Sequence, residues 1–220
     1  MRLAFLKNVV KGVFCAAFVA VTFPASAATE GTDYMVLEKP IPNADKTLIK
    51  VFSYDCPFCY KYDKRVTVPV VKKLEGIVKF EPYPLETKAK YGLQASRLFA
   101  VLMLKDGAKG VSLIDDNSLF KKAKMAYYEA YHDKKERWGG GENDFLKTGL
   151  DAVGMSRADF DAAVKDPKVE GMVQQWKVGY DIAKIQGIPA YVVNGKYLIY
   201  TKNIRSEDGL VDLIKELASK

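Results

Sequence analysis

Cys56 and Cys59, separated only by Pro57 and Phe58, are the residues of this 220-residue chain whose spacing most directly suggests chemistry. Such a pair can close a small disulfide ring, offer two ligands to a soft metal, or pass electrons as a dithiol, and the flanking residues must decide among these. Upstream, Thr47-Leu48-Ile49-Lys50-Val51-Phe52 has the β-branched and aromatic content of a buried strand. Downstream, residues 60–66 favour a helix, with no breaker before Pro69. The pair therefore sits where a strand hands over to a helix, with Pro57 at an early position where a missing N–H costs nothing. The unpaired N–H groups and the dipole of a helix start favour a thiolate at Cys56. Each unit by which its pKa falls is worth about 1.4 kcal/mol, and a stabilised thiolate makes the disulfide a stronger oxidant. Cys59, a turn deeper, suits a buried resolving thiol. A static staple is a poor use of the pair, because closing a two-residue loop removes little chain entropy.

The elements that must hold this pair follow from periodicity. Residues 34–37 read as a first strand closed by Pro40 and Pro42, residues 48–53 as a second, and residues 78–82 as a third. The active helix runs from about 56 to 73, with a bend near Pro69. From about 88 to 184 the pattern turns helical. One helix carries Leu93, Leu98, Val101, Leu102 and Leu104, and the next is capped at Asn117 or Ser118 and runs to Trp138. A short helix follows from about 142 to 153, another is capped by Ser156, and a long one runs from Pro167 through Ile185. Strands return at 191–193 and 196–200 around Asn194-Gly195, a two-residue hairpin signal, before a last helix capped by Ser206. The reading is an α/β fold with a mixed sheet and an inserted helical domain at about 88–184.

Composition bounds the setting. Residues 1–27 carry Arg2, Lys7 and Lys11, an apolar run over 9–23 that contains Cys15, and Ala25-Ser26-Ala27. This is the pattern of a cleaved secretory signal peptide, leaving a mature domain of residues 28–220 in which Cys56 and Cys59 are the remaining cysteines. Losing those three basic residues and no acidic one lowers the formal charge from +7 to +4. Export places the chain where disulfides persist, the periplasm of a bacterium, and disfavours nucleic acid as a partner. Roughly 190 residues suffice for one domain with a substantial core, and a monomer is expected.

A strand running into Cys-Pro-Phe-Cys-Tyr, a helical insertion, and Gly187-Ile188-Pro189-Ala190 before an Asn-Gly hairpin together resemble the DsbA family of thiol:disulfide oxidoreductases. The resemblance covers essentially the whole mature chain. It implies a thioredoxin-like fold, no cofactor beyond the Cys56–Cys59 disulfide, and a cis bond before Pro189 that leaves the Ile188 backbone facing the disulfide to pair with a substrate strand. The implied activity is donation of that disulfide to exported proteins with free thiols, followed by reoxidation by an inner-membrane, quinone-linked partner of the DsbB or DsbI type. The Pro57-Phe58 dipeptide, the basic balance and the short insertion are similar to a specialised paralogue of DsbA, which implies an arylsulfate sulfotransferase as client.

Two departures stand out. The family's histidine before the second cysteine is Phe58 here, so thiolate stabilisation falls to backbone N–H groups and to cations, with Lys61, Lys64 and Arg65 near in sequence and Asp55 opposing them. The family's buried acid six residues before the first cysteine is Lys50. A buried Lys50 would favour the thiolate and need a partner, for which Glu81 on the neighbouring strand is the candidate; an edge Lys50 would keep its ammonium in water. A disulfide reductase or isomerase uses the same motif, although the dimerisation domain of periplasmic isomerases is not evident. A metal-binding or chaperone-like module would need four ligands. The single histidine, His132, reads as a solvated helix end, and Met103, Met125, Met155 and Met172 read as core. Tyr191 reads as an ordinary core strand residue.

Overall fold

The computed structural model describes residues 27–220; the signal-peptide reading of residues 1–27 lies almost entirely outside them. Five strands form one sheet in the order β1-β5-β4-β2-β3. These are β1 (Tyr34–Val36), β2 (Thr47–Phe52), β3 (Lys79–Pro84), β4 (Ala190–Val193) and β5 (Tyr197–Ile199). β2 pairs parallel with β3 and antiparallel with β4, while β5 pairs antiparallel with β4 and β1. The parallel pair needs a crossover, supplied by α1 (Pro57–Arg65) and α2 (Thr67–Lys73). β3 runs two residues further than its alternating pattern suggested. Leu85 donates its N–H to Phe52, so the nitrogens of Pro82 and Pro84 face the open edge, where no donor is required.

Between β3 and β4 lie α3 (Gly92–Ala108), α4 (Leu119–Tyr128), a π-helical turn (Glu129–Asp133), α5 (Glu142–Val153), α6 (Arg157–Ala163), α7 (Pro167–Trp176) and α8 (Val178–Gln186). The helix expected to reach Trp138 ends in the π turn. Trp138 then takes a left-handed conformation, φ 50°, and buries its ring against Tyr54 and Phe145. The single long helix expected from Pro167 is two, because α7 packs on α3 of the insertion whereas α8 packs on β2 and β4. Gly179 marks the change: a β-carbon there would meet Val51 at 3.2 Å, so the helix approaches β2 closely. After β5, α9 (Glu207–Ala218) closes the fold, capped by the Ser206 hydroxyl accepting from the Gly209 N–H.

The larger apolar core joins one face of the sheet to the insertion, and a smaller one lies between the opposite face, α2 and α9. In the larger core Tyr127 stacks on Phe145 with centroids 4.3 Å apart, and Gly149 lets α5 close over this pair. A β-carbon at Gly149 would lie 2.5 Å from both Leu98 Cδ2 and the Tyr127 hydroxyl. Gly149→Ala is therefore expected to destabilise the protein by about 1–3 kcal/mol despite its better helix propensity. Urea unfolding measures this, and an unchanged midpoint would show that the aromatic stack yields freely.

Candidate functional site

Cys56 is the N-cap of α1, with an extended backbone (φ −86°, ψ 112°), and its sulfur accepts the Cys59 N–H at 3.1 Å. A thiolate suits this place better than a neutral thiol would, because the unpaired donors of the helix start converge on it. Pro57 occupies the first helical position, and Phe58 is 65 % exposed, so the dipeptide faces solvent. Cys59 is fully buried one turn deeper. The two sulfurs are pushed in opposite directions. Cys56 is lowered, chiefly by a hydrogen bond from the Cys59 thiol and then by backbone N–H groups, against its own partial burial and Asp55. Cys59 is raised well above the ordinary thiol range by burial and by donating to Cys56, with Lys50 pulling the other way.

The Ile188–Pro189 bond is cis, and the Ile188 carbonyl lies 3.5 Å from Cys56 Sγ, where a protonated Cys56 donates to it. Pro189 is buried and Ile188 half-exposed, so the loop presents backbone beside the sulfur. Asp55, the adjacent negative charge, is offset by Lys88 at 3.4 Å.

Beneath Cys59 lies a cluster of buried charges. Lys50, in the middle of β2 and 1 % exposed, donates to Asp63 Oδ1 at 2.7 Å and to the Thr67 hydroxyl at 2.8 Å. Lys124, reaching in from α4, lies 3.1 Å from the same carboxylate oxygen. Two cations thus share one anion. Burial opposes the charge on Lys50, but Asp63 holds its pKa above the ordinary lysine value. Burial likewise opposes Asp63, and Lys124 and Lys50 together hold it far below the usual carboxylate range. Lys124 is lowered, by burial first and by the charge of Lys50, against Asp63.

A family model described as a DSBA-like thioredoxin domain matches residues 47–213. The chain belongs to the DsbA family. It is 66 % identical, over 98 % of both chains, to the thiol:disulfide interchange protein DsbL of Escherichia coli O6:H1. It is 33 % identical, over 82 % of both chains, to DsbA of Salmonella typhimurium. The crystal structure of DsbL from Salmonella enterica serovar Typhimurium superimposes with a TM-score of 0.87 at 68 % identity, covering 89 % of this chain and all of that one. The chain is a thiol:disulfide oxidoreductase with the thioredoxin-like α/β fold and helical insertion of the DsbA family.

Within the DsbA-family frame, Cys56, Cys59, Pro57, Phe58, Ile188 and Pro189 come together at one end of β2 and β4, and Lys50 lies buried behind them. Glu81 does not join them. It sits opposite Ile49 in the parallel register, so it faces away from Lys50, and it bonds Lys79 at 2.8 Å instead. The partner of Lys50 is Asp63, seven residues after Cys56. A signal for it existed: Cys59, Tyr60, Asp63 and Thr67 form one buried helical stripe, and a carboxylate on such a stripe needs a counterion. Lys124 carries the same signal, standing four residues after Phe120 on the buried face of α4. Lys64 does not reach the sulfurs; it lies over the Tyr60 ring at 4.0 Å and near Asp133. His132 is not a solvated helix end, since its ring stacks on Tyr60 and its Nε2 lies 3.0 Å from the Tyr54 carbonyl. Among the described residues no three His, Cys, Asp or Glu side chains are grouped to hold a metal ion, and no helix is long and apolar enough to cross a membrane.

Proposed function

We propose that the chain is a periplasmic dithiol oxidase that donates a Cys56–Cys59 disulfide to exported proteins. The observation that supports this reading most is the opposite tuning of the two sulfurs, with Cys56 a helix-capping thiolate and Cys59 its buried donor. Stabilising the reduced pair in this way favours electron flow from substrate to protein. A substrate thiolate aligned on the Ile188 backbone attacks Cys56 Sγ. The S–S bond breaks, and Cys59 leaves as a thiolate that takes up a proton. A second substrate thiolate then attacks the substrate sulfur of the mixed disulfide, and Cys56 leaves as the stabilised thiolate. The substrate loses two electrons and the pair gains them; Cys59 retains one of the two substrate protons and the other goes to solvent. A quinone-linked membrane reoxidant of the DsbB or DsbI type would restore the disulfide. The chain is similar to proteins named DsbL, and this reading takes an arylsulfate sulfotransferase as its dedicated client, with the signal peptide cleaved after Ala27.

Cys59→Ala tests the reading. Without the resolving thiol, the reading expects Cys56-linked mixed disulfides with exported proteins, seen as thiol-sensitive adducts on non-reducing gels. Wild-type protein equilibrated with glutathione should lie well on the reduced side of thioredoxin's balance. No adducts in an export-competent strain, together with a strongly reducing potential, would favour a reductase instead.

A further inference from the structure

The turn that presents Cys56 is held from outside the thioredoxin-like core. Residues 53–56 form it, with the Cys56 N–H bonded to the Ser53 carbonyl at 3.2 Å, and Tyr54 at its centre is buried. Both polar ends of Tyr54 are engaged by the insertion side of the molecule. Its hydroxyl accepts the Tyr91 N–H at 3.1 Å, and its carbonyl oxygen lies 3.0 Å from His132 Nε2. A carbonyl can only accept, so the nitrogen facing it carries the proton. His132 reaches this position because the chain widens into a π turn at Glu129–Asp133 immediately after α4. Such turns are uncommon and recur at functional sites, where they redirect side chains that a regular helix would point elsewhere. The ring is fixed on several sides, stacking on Tyr60 of α1 at 5.4 Å and meeting Tyr131 edge-on at 5.0 Å. The neighbouring Asp133 accepts from the Tyr60 hydroxyl at 2.6 Å, so the π turn grips the active helix one residue after Cys59.

We propose that His132 is a positioning residue for the dithiol, its Nε2–H bond to the Tyr54 carbonyl locking the turn that presents Cys56 to substrate. The proposal rests on Cys56 being the sulfur that substrates attack. The charged and titratable groups facing the ring are Asp55, itself paired with Lys88; Asp133; Lys135, which donates to the His132 carbonyl; and the phenols of Tyr60, Tyr128 and Tyr131. The hydrogen bond forms with the ring neutral or protonated, so positioning persists on both sides of the histidine titration.

Two substitutions separate the bond from the packing. His132→Phe keeps a stacking ring but has no donor, whereas His132→Gln loses the ring but places an amide N–H near the position of Nε2. The rate at which reduced glutathione opens the oxidised protein at pH 7 is measured by stopped flow, and thiolate absorbance of the reduced protein is titrated. His132→Phe is expected to slow opening about three- to tenfold, the size of one lost hydrogen bond, and to move the Cys56 titration upward. His132→Gln is expected to stay within about twofold of wild type on the same hydrogen-bond scale. A normal His132→Phe with an impaired His132→Gln would show that only the ring matters, and equal behaviour of the two would likewise overturn the proposal. Mass spectrometry of the glutathione adduct on wild-type protein checks the underlying reading separately: an adduct on Cys59 would sink that reading whatever the variants do.

Discussion

Asp63→Asn is expected to destabilise the reduced protein by about 3–5 kcal/mol, the usual cost of leaving a buried charge without its partner. Asparagine keeps the shape of the side chain and can still accept from Lys50, so the change isolates charge from volume. It leaves two ammonium groups, Lys50 and Lys124, inside the fold with no anion between them. The pH dependence identifies the cause. The pKa of Asp63 is lowered in the folded state, so its contribution is complete above its unfolded value of about 4 and is lost as pH falls below that. Wild type and variant should therefore converge in acid. At the alkaline end the slope has the same sign but a different source. Lys124 is lowered, so the folded state sheds a proton before the unfolded state does, and stability rises with pH up to the ordinary lysine value of about 10.4. Without Asp63 that rise should begin at lower pH, because nothing then holds the proton on Lys124. Urea unfolding between pH 3 and pH 10 checks both limbs. A loss below about 1 kcal/mol that is flat with pH would mean that solvent reaches the cluster and that the ion pairs matter little.

The same cluster shows where a single sequence stops being informative. The strand leading into Cys56, the proline at the first helical position, the Ser156 and Ser206 caps and the Asn194-Gly195 hairpin are local features written in adjacent residues, and each stands where its chemistry puts it. The charge cluster is different because its members come from β2, α1 and α4, and strand alternation alone could not say which neighbour Lys50 meets. Glu81 was a reasonable partner by proximity of strands; the register turns it to the other face. His132 was obscured for a related reason. Its position depends on a π turn that periodicity at 3.6 residues does not anticipate, and on aromatic packing of Tyr60, Tyr131 and Trp138 across segments far apart in the chain. The break between α7 and α8 depends on which body each half packs against, again a tertiary matter.

Lys50→Met should separate activity from stability, moving them in opposite directions or moving activity alone. Among the causes acting on Cys59, Lys50 is the cation that favours its thiolate, and burial is what it opposes. Cys59 is the leaving group when substrate attacks Cys56, and a leaving thiol with a higher pKa departs more slowly. Removing a close cation raises a thiol by about one unit or more, so opening of the disulfide by glutathione should slow about three- to tenfold. A weaker acid at Cys59 is also a weaker hydrogen-bond donor to Cys56. The reduced pair is then less stabilised, and the potential becomes less oxidising by about 30 mV for each unit that Cys56 rises. Stability behaves differently, since methionine fills a similar volume and Asp63 retains Lys124 at 3.1 Å. Because Lys124 still neutralises Asp63, Lys50→Met strands no buried charge, and the cost of about 3–5 kcal/mol for an uncompensated ion does not arise. Lys124→Met serves as the control, because it leaves Lys50 on Asp63 at 2.7 Å and should change the opening rate far less. If Lys50→Met opens at the wild-type rate with an unchanged potential, the buried lysine is structural, and the capping N–H groups together with the Cys59 thiol carry the tuning of Cys56.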